Sequence, residues 1–156
     1  MDEIYKEVEE LIQFIKDEMR KMNLDAEEVF LNGNCGNLYR IFVEKFPKYT
    51  TPFLITYRGE PFHIVTKIGD RLYDITGETN LDKYADIFIA SENGKTRVPY
   101  KKEKFAIEQI SLTHDVIRNR KMCNMYKYDD RYDQSIIDGD MEKLMKKIKQ
   151  RDEETR

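Results

Sequence analysis

Phe62-His-Ile-Val-Thr-Lys-Ile-Gly-Asp-Arg-Leu-Tyr-Asp-Ile-Thr76 decides the fold. β-branched and aromatic residues crowd both halves of this stretch, and Gly69-Asp70 between them is a two-residue turn, so it predicts two antiparallel strands. Upstream, Phe53-Leu-Ile-Thr-Tyr57 has the same character. It is separated from Phe62 by Arg58-Gly-Glu-Pro61, a second hairpin turn, giving a small antiparallel sheet.

Further out, the period changes. From Asp2 to Met22, Ile4, Val8, Leu11, Ile12, Ile15, Met19 and Met22 recur at three- and four-residue steps, the stripe of an amphipathic helix with acids toward its start. Asn23-Leu-Asp25 breaks it, and Asp25 is placed to cap a short turn through Phe30. After the loop Asn32-Gly-Asn34, a helix is predicted from Cys35, presenting Leu38, Tyr39, Phe42 and Phe46 and ending before Pro47. Asp86-Ile-Phe-Ile-Ala90 reads as a short strand before an Asn93-Gly94 turn. Ala106–Met122 and Ile136–Lys149 read as helices. The expected fold class is α+β, a small antiparallel sheet flanked by N- and C-terminal helices, as one domain over residues 1–150 with a disordered polar tail at 151–156.

Composition removes several function classes. The chain has 156 residues, 37% of them charged, with 2 Cys, 2 His and no Trp. Two cysteines cannot build a disulfide framework, and so few Cys and His argue against a structural zinc site. No apolar run approaches the roughly 20 residues of a membrane helix, and the acidic start is unlike a signal peptide. A soluble, reduced, cytoplasmic protein is expected. Net charge is -6 over residues 1–30, zero over 31–90 and +3 over 91–156. The terminal basic excess is interleaved with acids, unlike the dense stripe of a nucleic-acid footprint.

Within this frame Cys35, His63 and Asp74 form the candidate site. A thiol opening a helix after a glycine-containing loop meets the positive end of the helix dipole and unpaired N–H groups, both of which favour a reactive thiolate. His63 stands on one hairpin strand on the face of Val65 and Lys67, and Asp74 on the next with Leu72 and Thr76. A slightly offset register makes the two neighbours, and a carboxylate on one imidazole nitrogen would leave the other facing the thiol. Asn32 and Asn34, with the Cys35 backbone N–H, are candidates for an oxyanion hole.

Asn32-Gly-Asn-Cys35 with the helix Gly36-Asn-Leu-Tyr-Arg-Ile-Phe42 resembles the nucleophile helix of papain-like cysteine enzymes. His63 through Thr76 is similar to the His-strand, turn and Asp-strand of their transglutaminase-like branch, with Ile75-Thr76 where that branch often has Pro-Thr. The resemblance spans about residues 30–78. It implies a papain-like or transglutaminase-like fold, a nucleophile helix packed on the sheet, Cys35 as nucleophile, His63 as general base and acid, and Asp74 as its orienter.

The expected activity is thiol-dependent acyl transfer on a peptide or protein amide, as a protease, deamidase, amidase or transglutaminase-like enzyme. No calcium-loop or phosphate-cradling motif is present, so no cofactor or metal is expected. The alternative is a non-catalytic protein-binding module or inhibitor on the same scaffold, a kind common among phage and mobile-element proteins. Cys123 with His114 is a weaker second thiol pair. Tyr126, Tyr128 and Tyr132 read more simply as the rim of the core than as a stacking platform.

Overall fold

Helix α1 (Asp2–Lys21) buries its stripe of Tyr5, Val8, Leu11, Ile12, Ile15 and Met19. It stops in a Schellman arrangement. The Leu24 N–H donates to the Met19 carbonyl at 2.9 Å and the Asn23 N–H to that of Arg20 at 3.0 Å, with Asn23 left-handed at φ 61°. Asp25 then caps α2 (Ala26–Leu31), its Oδ1 accepting the Glu28 N–H at 3.2 Å. The structure, a computed structural model, describes residues 1–31, 34–87, 89–92, 96–99, 101–111 and 134–154.

Helix α3 (Cys35–Lys45) begins at the cysteine and ends before Pro47. Strands β1 (Thr50–Tyr57), β2 (Glu60–Ile68) and β3 (Arg71–Asp74) follow as antiparallel hairpins, with the two-residue strand β4 (Gly77–Glu78) beyond β3. Both hairpin turns are present, the first narrowed to Arg58-Gly59 because Glu60 and Pro61 pair with Tyr57 and Thr56 and open β2. Arg58 and Gly59 have φ of 52° and 81°, the left-handed pair of a type I′ turn. Gly69 (φ 62°) reverses the chain against α1, where a β-carbon would lie 2.6 Å from the Tyr5 hydroxyl. That hydroxyl accepts the Asp70 N–H at 3.0 Å, tying the β2–β3 turn to the start of the chain.

Downstream the sequence reading needs correcting. Residues 81–87 form helix α4 (Leu81–Ile87), and strand β5 (Ile89–Glu92) pairs antiparallel with β6 (Thr96–Pro99), so the strand expected at Asp86–Ala90 begins only at Ile89. The helix expected from Ala106 is instead, in its described part, strand β7 (Phe105–Gln109), reached through a 3-10 turn at Lys102–Lys104. Pairing decides the matter. Tyr57 to Phe53 run antiparallel to Phe105 to Gln109, and this ladder outweighs a local helical preference. The main sheet has the order β4-β3-β2-β1-β7. Helix α5 (Gln134–Glu154) runs past the start of the expected polar tail at 151. Asp152 pairs with Lys45 at 2.8 Å and Arg151 lies over the Phe14 ring. The Asn93-Gly94 turn, residues 112–122, His114, Cys123 and the three late tyrosines lie outside the described residues.

The sheet is covered on both sides. Leu54 and Ile64 pack under α3 with Cys35 and Tyr39, while Ile55 and Val65 pack on the opposite face with Phe62, Tyr84 and Phe105. A larger cluster joins α1, α2 and α3 to Ile137, Met141, Leu144 and Ile148 of α5. The fold is α+β, with helices flanking a small antiparallel sheet.

Candidate active site

Cys35 lies at the N-terminus of α3 because the Asn34 carbonyl accepts the first-turn N–H groups of Asn37 and Leu38 at 3.0 and 3.3 Å. Its Sγ reaches the sheet and accepts the Ile64 N–H at 3.4 Å. A backbone donor and a helix N-terminus both stabilise negative charge on sulfur. Asn34 is buried, and its Oδ1 accepts from Asn37 Nδ2 at 3.0 Å. Asn32, the other oxyanion candidate, lies outside the described residues.

One residue before Ile64, His63 projects to the other face. It pairs across the sheet with Ile55, and its ring stands edge-on to Tyr84 with centroids 5.3 Å apart. Continuing the β2–β3 register from Thr66↔Tyr73 puts Asp74 opposite Val65 and therefore diagonal to His63 on one face. Nε2 of His63 is 3.9 Å from Asp74 Oδ2, beyond hydrogen-bond distance and an ion pair only when the ring is protonated. The structure thus brings His63 and Asp74 together and seats the Cys35 sulfur on the backbone of the residue after His63.

Asp74 is held firmly. The backbone N–H and the hydroxyl of Thr76 donate to Oδ1 at 2.7 and 2.5 Å, and Lys83 Nζ donates in turn to the Thr76 hydroxyl. Tyr84 Oη donates to Oδ2 at 2.6 Å. Cys35, His63 and Asp74 are only 3%, 2% and 2% exposed. Burial pulls His63 down to about 4 against the opposing pull of the Asp74 carboxylate, so the ring is neutral at pH 7. Burial, reinforced by the charge of Asp74, pushes the Tyr84 hydroxyl well above its usual value, and the Cys35 sulfur acts on it in the same direction.

Tyr84 is the member of this cluster that the sequence did not reveal. Its only signal was an aromatic residue ten positions after an Asp-x-Thr turn. Among the described residues no three His, Cys, Asp or Glu side chains converge as metal ligands, and no helix is long and apolar enough to cross a membrane.

A protein-family model described as "Phage YunG-like protein" matches residues 11–114, about two thirds of the chain, from the middle of α1 through β7 and with every candidate site residue inside it. No curated protein and no solved structure matches.

Proposed function

The chain belongs to the phage YunG-like protein family, and we propose that it is a cysteine-dependent acyl-transfer enzyme on a papain-like, transglutaminase-like scaffold. Its substrate is a peptide or protein amide. The observation that carries this reading is the contact of the Cys35 sulfur, at a helix N-terminus, with the amide next to a histidine poised over a carboxylate. In the reaction the Cys35 sulfur attacks the carbonyl carbon and the amide C–N bond breaks. His63 delivers the proton taken from the thiol to the departing amine, leaving a thioester. Water or an acceptor amine then attacks the acyl carbon and restores the thiol. Asp74 stabilises the imidazolium formed on the way.

A second reading has its own support. The three side chains are almost wholly buried, and strand alternation sends His63 and Ile64 to opposite faces, as suits a protein-binding module with a polar core cluster.

The pH profile of iodoacetamide alkylation at Cys35 separates the two, with each rate divided by its own value at pH 8.5 and corrected for the opening free energy measured at the same pH. An ordinary thiol of pKa about 8.5 slows roughly a hundredfold by pH 6. The enzyme reading expects less than about a tenfold fall, and a reversion to the ordinary profile in His63→Ala. An ordinary profile in the native chain, unchanged in His63→Ala, overturns the enzyme reading and leaves the binding module.

A further inference from the structure

The Asp74 carboxylate has two oxygens and two sets of claimants. Oδ1 is saturated by the two Thr76 donors, leaving Oδ2 as the oxygen open to His63. Tyr84 already donates to Oδ2 at 2.6 Å, while the His63 Nε2, fully buried, has no hydrogen-bond partner among the described residues. In the neutral ring Nε2 is either an acceptor with no proton to give or a donor kept from Oδ2, and with Tyr84 bonded to Oδ2 the carboxylate oxygen lies 3.9 Å from it. We infer that Tyr84 is a positioning residue whose bond to Asp74 Oδ2 draws the carboxylate away from the imidazole until His63 is protonated.

The other surroundings of His63 support this assignment. Ile55 of β1 and Val65 of β2 are apolar, and Phe105 of β7 shares their cluster. From α4 come Tyr84 itself and Lys83, whose ammonium is engaged with the Thr76 hydroxyl. From α3 comes Cys35, with its sulfur on the Ile64 amide. Asp74 is thus the one carboxylate among these groups, and among the described residues Tyr84 is the side chain that donates to the oxygen His63 needs. When His63 takes a proton, an Nε2–H···Oδ2 ion pair outcompetes a neutral phenol for the same oxygen. The consequence for catalysis rests on the proposed thiol mechanism: the imidazolium that appears as Cys35 gives up its proton would draw Asp74 from Tyr84. The competition itself does not depend on that mechanism.

It is tested by titrating the His63 ring by NMR in the full chain, a readout indifferent to whether Cys35 turns over. Tyr84→Phe keeps the ring packing and frees Oδ2, so the His63 midpoint should rise from about 4 to about 5 or higher. Thr76→Val disturbs only Oδ1 and should produce no comparable rise. An unmoved or lowered midpoint in Tyr84→Phe overturns the inference, as does an equal rise in Thr76→Val. Should Tyr84→Phe not fold, the wild-type protein decides. The hydrogen-bonded Tyr84 hydroxyl proton should vanish in step with His63 protonation, and its persistence through that step overturns the inference. Failure of the thiol mechanism shows separately, in the alkylation profile of His63→Ala.

Discussion

His63 ties folding to pH through its burial. In the folded chain it stays neutral until about pH 4, whereas an unfolded histidine protonates near 6.5. Between these values the unfolded state binds the extra proton, so stability is complete above about 6.5 and declines as pH falls toward 4. The difference amounts to about 2 kcal/mol by pH 5 and about 3 kcal/mol at pH 4. Urea unfolding at pH 7.5 and pH 5 should show the wild-type chain losing about 2 kcal/mol more than His63→Gln. Equal losses would place the ring in water and remove the buried site. The pairing of His63 with Asp74 was legible in the sequence, because a two-residue turn fixes strand parity and parity fixes the face. The clamp on Asp74 was not. Tyr84 reaches Oδ2 from a short helix, and no periodicity links a residue on α4 to one on β3. Strand parity also placed Ile64, not His63, beneath the thiol, a consequence the linear order of Cys, His and Asp does not display.

At the level of elements, legibility follows how local the stabilising contacts are. Helices α1 and α3 and the turns at Gly59 and Gly69 announce themselves, because caps, periodicity and left-handed residues lie within a few positions of one another. Strand β7 does not. Ala106, Ile107 and Ile110 repeat at helical spacing, and the strand exists because β1, about 50 residues earlier, offers its unpaired edge. The end of α5 fails for a related reason. Its last turn is polar, as a frayed tail would be, yet Asp152 meets Lys45 of α3 and Arg151 meets Phe14 of α1. Deleting residues 151–156 should therefore lower unfolding free energy by about 1–2 kcal/mol, since an ion pair, a cation–π contact and a turn of helix are lost together. A urea midpoint unchanged by the deletion would return these residues to the status of a tail.

For the molecule as a whole, covering both faces of the sheet determines who can reach the thiol. The family match ends at residue 114, so it holds the sheet and the candidate site but not α5, which nevertheless supplies Ile137, Met141, Leu144 and Ile148 to the shared core. Helix α3 is fixed between that core and β2, with Cys35 3% exposed and its sulfur bonded to a strand amide. A thiol so placed meets reagents only when the structure opens around it, and the cost of opening grows with the size of the reagent. Iodoacetamide and a bulky maleimide should therefore differ. With each native rate at Cys35 divided by its rate in urea, and Cys123→Ser removing the second thiol, the maleimide should be slowed at least roughly tenfold more than iodoacetamide. Equal ratios close to one would mean that the thiol is already accessible to a bulky reagent, and equal ratios well below one that both reagents wait for the same global opening; either overturns the graded opening. A larger penalty for the bulky reagent means that any protein substrate must bring a slender segment to Cys35, or must bind first and open the fold.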